Sequence, residues 1–217
     1  MIAAKEPTAP GMAARTAAIL FLFVVAFTAA LAIVYVATKP GIDAAAAEEK
    51  MRAINEVLPK DLYDNDLLAD TLKIPATPEL GLDDESTIYR ARLGGEPSAL
   101  VLETVAPDGY AGKIRMLVAV RANGELAGVR VTQHKETPGL GDYIEPKKDK
   151  NKERPWITQF NGLSLDKVPA SGWKVKKDGG RFDFVAGATV TPRAMVKAVH
   201  KTLQYAVANR DRLFATK

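Results

Sequence analysis

The chain has 217 residues, of which 47% are hydrophobic and 26% are charged, proportions typical of a globular protein rather than a disordered or multi-spanning one. It contains no cysteine, which excludes iron–sulfur ligation, thiolate catalysis, cysteine-type zinc sites and disulfide bonds. The formal net charge is +4 and no basic helix is interleaved with aromatic residues, so we expect no nucleic-acid partner.

An uncharged segment near the amino terminus, residues 16–38, contains the apolar run Ile19–Val25. As a helix it would extend roughly 35 Å, enough for a hydrocarbon core of about 30 Å. A cleaved signal peptide would have a shorter apolar core, although Ala44–Ala47 offers a cleavage site, and a buried soluble helix would have a polar face. The sequence therefore predicts a retained transmembrane helix over residues 16–38.

The flanks of this segment predict its orientation. Lys5 and Arg15 precede it, Lys39 follows it closely, and the tail before it is short. We expect residues 1–15 to form a cytoplasmic tail and the large carboxy-terminal part to lie outside the cytoplasm, with Tyr35 at the far interface.

Residues 39–80 are predicted to form a helical and extended connector. Lys39-Pro40-Gly41 is expected to end the membrane helix. A short second helix is expected before Pro59, because apolar residues recur there at helical spacing. These residues are Met51, Ile54, Val57 and Leu58. An acidic connection and a proline-broken segment follow.

A period of two then indicates β-strands. Glycine-containing segments, Gly94–Pro97 and Ala122–Glu125, separate the strand-like runs in pairs. The dipeptide Asn123-Gly124 favours a tight hairpin with positive φ at both positions. We predict an antiparallel sheet from four runs: Thr87–Leu93, Ser98–Val105, Ile114–Arg121 and Leu126–Thr132.

The carboxy-terminal third of the chain combines a basic loop with a helix. Residues 147–154 carry five lysines and arginines, a pattern that fits either a solvated loop or a docking patch. Trp156–Phe160 is expected to be a short element anchored by aromatic residues. A helix is predicted from Pro192 to Asn209, with Thr191 as its N-cap. The soluble part, residues 81–217, is therefore predicted to be one α+β domain.

Common catalytic signatures are absent. There is no P-loop and no nucleophile elbow, and Gly139-Leu140-Gly141 lacks the third glycine of a dinucleotide fingerprint. His134 and His200 lie far apart, and each is expected to be an ordinary surface histidine. We therefore predict neither a catalytic residue nor a metal site.

One segment, Asp183–Pro192, remains as a candidate site. Gly187 and Ala188 deliver Thr189 to a bend that opens into a helix, and they let a bulky group approach the backbone. The unpaired N–H groups and the dipole of a helix start favour a phosphate. This arrangement suits a phosphate-linked cofactor, although a small-residue turn before a capped helix has the same pattern.

The segment resembles the flavinylation motif of FMN-binding domains in the RnfG family of Rnf-complex proteins and in the C subunit of the sodium-translocating NADH:quinone reductase. That motif reads Asp, two variable residues, Ser or Thr, Gly, Ala, Thr. Asp183, Gly187, Ala188 and Thr189 match it, whereas Ala186 stands where Ser or Thr is usual. The resemblance covers essentially the whole chain through four ordered blocks: Ala106–Tyr110, Glu136–Asp142, Lys176–Gly180 and Thr191–Ala194.

The resemblance implies FMN joined to Thr189 by a phosphoester, which a flavin transferase makes with FMN taken from FAD. It implies that Thr191 and the helix start hold the phosphate and that Thr137 and Leu140 contact the flavin ring. Asp183 would belong to the recognition signal of the transferase or shape the loop. The implied cofactor-binding set is Thr189, Gly187, Ala188, Thr191, Asp183, Thr137, Leu140 and Gly141.

The resemblance also implies an electron-carrying subunit of a complex that couples electron transfer between ferredoxin and NAD to ion movement, without turnover of its own. Its partners would be the other Rnf subunits in the bacterial inner membrane, with the large domain periplasmic. The nearest alternative identity is the C subunit of the quinone reductase, which carries the same cofactor chemistry in a different complex. The compact length and Thr191-Pro192-Arg193 favour the RnfG family. A flavin-free, membrane-anchored binding or assembly module is the alternative from another class.

Overall fold

The computed structural model describes residues 9–215, and the chain separates into one compact unit up to Glu49 and a second from Lys50 onward. The second unit contains a five-stranded antiparallel sheet and two carboxy-terminal helices. The α+β class predicted from the sequence is therefore confirmed. Lys5, assigned above to the cytoplasmic tail, lies outside the described residues.

The first helix, α1 (Ala9–Asn55), contains a window of mean hydropathy 2.9 with no buried residue, and it is long and apolar enough to cross a membrane. The expectation that Lys39-Pro40-Gly41 ends this helix is wrong, because α1 continues through Pro40. An interior proline costs about 3 kcal/mol, but the surrounding alanines are the best helix formers. An ion pair between Lys39 and Asp43, 3.1 Å long, also spans the proline.

Five strands form the sheet in sequence order, and each pairs antiparallel with its neighbour. Both predicted hairpins are present, since four of the strands coincide with the four period-two runs. The short strand at the β1 edge was not predicted, because it lies among prolines. The strands are β1 (Thr71–Ile74), β2 (Ser86–Leu93), β3 (Glu96–Gly109), β4 (Gly112–Arg121) and β5 (Leu126–Gln133).

The two predicted turns close differently. Gly94 and Gly95, with φ of 60° and 85°, form a two-residue turn, as the type I′ hairpin requires. The expectation of positive φ at Asn123 is wrong, because Gly124 alone adopts it there, with φ of 83°. The Gly124 N–H donates to the Arg121 carbonyl at 2.9 Å, which makes a three-residue loop with a glycine bulge.

The sheet is the middle of three layers. Helix α2 (Val190–Ala208) packs on one face through β3, and it is followed by the short helix α3 (Arg210–Phe214). The end of α1 and the segment after it bury four aliphatic residues on the other face: Ile54, Val57, Leu58 and Leu67. A Cβ at Gly128 in β5 would lie 2.6 Å from the Val57 carbonyl oxygen, so this layer sits directly on the sheet. The domain boundary at residue 81 stays a prediction, and the compact unit that contains the sheet begins at Lys50.

Between β5 and α2 the chain runs through short pieces of 3-10 helix and loops rather than long elements. The expected aromatic anchor is present, because the rings of Trp156 and Phe160 meet edge to face with centroids 5.5 Å apart. Phe160 in turn packs against Phe182, just before the candidate motif. The 3-10 pieces are Asp142–Ile144, Trp156–Phe160, Ala170–Gly172 and Lys176–Asp178.

Candidate functional site

The candidate motif ends at the start of α2, which begins at Val190 with Thr189 as the N-cap residue. The prediction that Thr191 caps this helix is wrong. Thr191 is only 1% exposed, and its hydroxyl donates to the carboxylate of Glu136 instead of turning back to the helix backbone. Thr189 has φ −91° and ψ −16°, and its carbonyl accepts the N–H of Arg193 at 3.3 Å.

The motif reaches Thr189 through a tight turn. The Ala188 N–H donates to the Val185 carbonyl at 3.0 Å, and Gly187 has φ of 85°. This is the pattern of a type II turn, which needs glycine at its third position. A Cβ at Gly187 would meet nothing within 4 Å, so backbone conformation and not space requires the glycine. The turn buries Ala188 and leaves Thr189 half-buried at the rim.

Thr189 presents an uncommitted hydroxyl at the positive end of α2, since its side chain makes no capping hydrogen bond. The N–H groups of Val190 and Thr191, at the first two helical positions, have no acceptor within the helix. Pro192 has no N–H. A hydroxyl beside two main-chain donors and a helix dipole is an arrangement that favours a phosphate ester.

Asp183, at the start of the motif, is held by its main chain. Its N–H donates to Gln159 Oε1 at 2.9 Å, and its carbonyl accepts the indole N–H of Trp156 at 2.7 Å. Its side chain is exposed and pairs with Lys176. The carboxylate therefore faces outward, while the backbone fixes where the motif begins.

The second predicted segment forms a compact turn. The Thr137 carbonyl accepts the N–H groups of Leu140 and Gly141 at 3.1 and 3.0 Å, and Gly139 has φ of 75°. The Gly139 N–H donates to Asp142 Oδ1 at 2.8 Å, and this hydrogen bond stabilises the turn. Thr137 and Leu140 are exposed at its tip, whereas Gly141 is buried at its base.

Glu136 joins the two segments. Its Oε2 accepts the Thr191 hydroxyl, and its Oε1 accepts the N–H of Ala111 at 3.1 Å. A Cβ at Gly141 would lie 2.8 Å from both Glu136 Oε2 and Thr191 Oγ1, so the base of the turn touches the first turn of α2. The structure thus brings Gly141 and Thr191 together. No local sequence signal pointed to Glu136, because a glutamate in a polar loop is usually solvated.

Two family models match the chain: "RnfG N-terminal region" over residues 11–57 and "FMN-binding domain" over residues 109–204. The chain is 50% identical over 201 residues to the G subunit of the ion-translocating oxidoreductase complex of Pseudomonas aeruginosa, covering 93% of this chain and 92% of the relative. It is 43% identical to the corresponding protein of Shewanella loihica, covering 92% of both chains.

The chain belongs to the RnfG family. Both segments of the site, around Gly141 and around Thr189, lie inside the match to the FMN-binding domain. The match to the amino-terminal region covers most of α1. Together with the apolar helix, membership of this family indicates that the chain is anchored to a membrane.

Neither histidine of this RnfG-family protein is an ordinary surface residue, so that expectation is wrong. His134 Nε2 lies 2.8 Å from Glu145 Oε1, and the side chain is 4% exposed. His200 stacks parallel on Trp173 with ring centroids 4.9 Å apart, and burial lowers its pKa. Within residues 9–215, no cluster of three histidine or acidic side chains suits a metal ion.

Three aliphatic side chains lie exposed at the rim of the site. Leu140, Val185 and Val190 are each more than 40% exposed, which is unusual for aliphatic side chains. Tyr143 donates to the Ala188 carbonyl at 3.4 Å, and burial raises its pKa to about 12, so it stays neutral. The residues present thus fit FMN: a free hydroxyl, main-chain donors for the phosphate and aliphatic side chains for a ring.

A cleft of about 1030 Å³ lies elsewhere, between the β1 region and the carboxy-terminal end of α2. It is lined by residues such as Ile74, Pro78, Tyr205 and Leu213. None of the predicted site residues lines this cleft, so its size alone does not identify it as the flavin-binding site.

Proposed function

We propose that this chain is the electron-carrying flavoprotein subunit of an Rnf complex, with FMN bound to Thr189 through a phosphoester. The family match to an FMN-binding domain supports the cofactor, and the relatives are named as subunits of an ion-translocating oxidoreductase complex. The observation that carries the attachment point is the uncommitted Thr189 hydroxyl, delivered by a glycine turn to the start of α2.

Attachment is a group transfer from FAD by a flavin transferase. A bond forms between Thr189 Oγ1 and the phosphorus of the FMN part, the pyrophosphate P–O bond breaks, AMP leaves, and the hydroxyl proton is released. Gly187 and Ala188 leave Thr189 accessible on one side, because neither carries a side chain larger than a methyl group. The outward carboxylate of Asp183 is available for recognition by the transferase.

The phosphate would be held by the main-chain N–H groups of Val190 and Thr191. The hydroxyl predicted for this role, that of Thr191, is buried and committed to Glu136, so Thr191 would contribute through its N–H. The ring would lie against the exposed turn that carries Thr137 and Leu140. Bound FMN supplies the one- and two-electron chemistry, and the chain supplies position and surroundings.

We further propose that the chain crosses the bacterial inner membrane once, over residues 16–38, with its large domain on the periplasmic side. The other Rnf subunits would be its partners in the membrane. A dissociating flavin would be lost from an extracytoplasmic domain, whereas a phosphoester retains the cofactor irrespective of affinity. Electron relay through a bound flavin requires no general acid or base from the chain.

Ala186 favours a second candidate, a flavin-free binding or assembly module, because the motif usually has a hydroxyl there. The test is fluorescence of the denatured protein in a gel after co-expression with a flavin transferase. We expect fluorescence from the unmutated protein and from Thr189→Ser, which keeps a hydroxyl, and none from Thr189→Ala. Loss in Thr189→Ala with retention in Thr189→Ser would place the ester on this oxygen.

An unmutated protein without fluorescence, beside a control substrate that the same transferase labels, would contradict the proposal and favour the flavin-free module. Restoration of fluorescence by Ala186→Ser would then identify the missing hydroxyl as the cause. Fluorescence that persists in Thr189→Ala would mean that the flavin is attached to another residue. The C subunit of the quinone reductase carries the same cofactor chemistry and is distinguished by the proteins that co-purify.

A further inference from the structure

We propose that Glu136 is the positioning residue of the flavin site, a buried carboxylate that holds two separate loops against the first turn of α2. This inference rests on the proposed function, because it assigns the group that orders the site around Thr189. Glu136 is 4% exposed. Its two oxygens bind partners that lie 25 and 55 positions away in the chain, Ala111 and Thr191.

Each contact of Glu136 fixes a different part of the site. Oε1 accepts the N–H of Ala111, at the turn between β3 and β4. Oε2 accepts the hydroxyl of Thr191, two residues after the attachment point. The Glu136 main-chain N–H donates to His134 Nδ1 at 2.9 Å, which fixes the residue at the end of β5. The turn from Thr137 to Leu140 follows directly, so its base moves with Glu136.

Two glycines make room for the carboxylate. A Cβ at Gly109 would lie 2.9 Å from Glu136 Oε1, and one at Gly141 would lie 2.8 Å from Glu136 Oε2. Both distances are too short for a real Cβ contact. Neither glycine has a positive φ, but a Cβ at Gly109 would also lie 2.2 Å from the Gly112 carbonyl oxygen, so the neighbouring strand requires glycine there as well. At Gly141 the three nearest atoms all belong to the side chains of Glu136 and Thr191, so the close packing there depends on these two side chains.

A buried carboxylate is costly unless hydrogen bonds compensate for its lost hydration. Among the ion pairs of residues 9–215, none involves Glu136, so its compensation comes from the Ala111 N–H, the Thr191 hydroxyl and the nearby helix start. A buried apolar side chain would stabilise the fold at lower cost but could not accept both donors. The carboxylate is retained, we infer, because it sets the geometry of the loops.

The test compares Glu136→Ala with Glu136→Gln in the full-length protein. We expect flavin incorporation by the transferase to slow by about tenfold to a hundredfold in Glu136→Ala, because displaced loops misplace the reacting hydroxyl. Glu136→Gln can still accept from Ala111 through its amide oxygen and donate to Thr191 through its amide nitrogen. It should therefore recover most of the rate, whereas Glu136→Met, which keeps the bulk without the hydrogen bonds, should stay slow.

Thr104→Val is the matched control. The Thr104 hydroxyl is buried at the interface of β3 and α2, where it bonds Thr202 at 2.9 Å, remote in sequence from the motif. Its loss should lower the melting temperature without slowing flavin incorporation. If Glu136→Ala and Thr104→Val, matched in melting temperature, incorporated flavin at the same rate, Glu136 would be an ordinary core residue and the proposal would fail.

Hydrogen exchange of the flavin-free protein gives a readout that does not need the cofactor. Glu136→Ala should speed exchange in the peptides that contain Ala111 and Thr191, whereas Thr104→Val should leave the Ala111 peptide unchanged. Unchanged exchange at both places in Glu136→Ala would overturn the proposal. An unmutated protein that takes no flavin would overturn the proposed function alone, since exchange would still report the coupling of the loops.

Discussion

Thr189 and Thr191 have the same side chain, but the helix start gives them opposite environments. Residues two positions apart point to different sides of a helix, so one hydroxyl meets solvent and the other meets the core. Thr191 is 1% exposed and bound to Glu136, whereas Thr189 is half-buried and makes no capping bond. The attachment proposed at this bend would therefore fall to Thr189, and the buried hydroxyl of Thr191 ties the bend to Glu136.

The turn before Thr189 gives a prediction at the same scale. Gly187→Ala places a methyl group in open space but forces an L-residue to a φ of 85°, which costs roughly 1–2 kcal/mol. We expect the turn to relax to another conformation and flavin incorporation by the transferase to fall several-fold. Gel fluorescence against time of co-expression measures the rate.

Gly162→Ala is the control for this variant. Gly162 also has a positive φ, 72°, and open space around its would-be Cβ, but it lies in the loop that bonds Leu126. The two variants should lose similar stability, and only Gly187→Ala should lose flavin incorporation. Equal incorporation in both would show that the shape of the turn does not govern attachment.

The sequence predicted the conformation of the candidate site where its signals are local. Both turns, at Gly187 and at Gly139, could be recognised from the sequence. A four-residue turn that needs a positive φ usually has glycine at that position. Glu136 was missed because its role depends on Ala111 and Thr191, which the fold brings to it from 25 and 55 positions away. Hydrogen bonds from distant residues to a buried carboxylate cannot be recognised from the sequence around it.

At the scale of elements, the β1 edge of the sheet is fastened by a charge cluster. Asp70, just before β1, accepts the Nε–H groups of Arg90 and Arg92 from β2, at 2.6 and 2.8 Å. The same guanidinium groups donate to the carbonyls of Phe214 and Ala215 at the end of α3, at 3.0 and 2.6 Å. One carboxylate thus supports both an edge strand and the last helix.

We expect Asp70→Asn to lower the free energy of unfolding by about 2 kcal/mol, because two charge-assisted hydrogen bonds lose their ionic partner. Burial raises the pKa of Asp70, but Arg92 and Arg90 outweigh it and hold the pKa below 3.8. A lowered folded-state pKa gives stability that is present above 3.8 and lost as the pH falls through the folded value. The variant should therefore show a smaller acid-induced loss than the unmutated protein.

Urea unfolding followed by tryptophan fluorescence measures this, since Trp156 and Trp173, the two tryptophans of the chain, are both buried. Asp83→Asn is the control, because Asp83 pairs with Lys113 at 2.5 Å on the exposed surface, where ion pairs contribute little. If the two substitutions lowered the free energy of unfolding equally at neutral pH, the Asp70 cluster would stabilise the fold no more than an exposed ion pair does.

Prediction of the elements failed where tertiary context overrides local preference. The hairpins follow from period-two runs and glycine turns, and β2 to β5 match them. Strand β1 has four residues, and its strand character comes from pairing with β2, for example Thr71 with Tyr89. Helix α1 passes Pro40 although Gly41, a poor helix former, follows it, so this local break signal did not end the helix.

At the scale of the whole molecule, the division between the two compact units lies after Glu49, inside the connector predicted for residues 39–80. Residues Lys50–Asn55 belong to α1 but also to the second unit, where Ile54 is fully buried on the sheet. Val57 and Leu58 continue this layer. The unit that carries the candidate site around Thr189 therefore includes the last turn and a half of α1 as a structural part.

A pair of truncations tests this boundary. A chain that begins at Lys50 should be soluble without detergent, melt cooperatively and accept flavin at Thr189, because it retains both layers on the sheet. A chain that begins at Lys60 loses Ile54, Val57 and Leu58, which stabilise the fold by roughly 6 kcal/mol together. That is comparable with the total stability of a small domain, so the shorter chain should unfold or aggregate. Sedimentation and thermal melting distinguish them, and a Lys60 chain as soluble and stable as the Lys50 chain would show that this layer is dispensable.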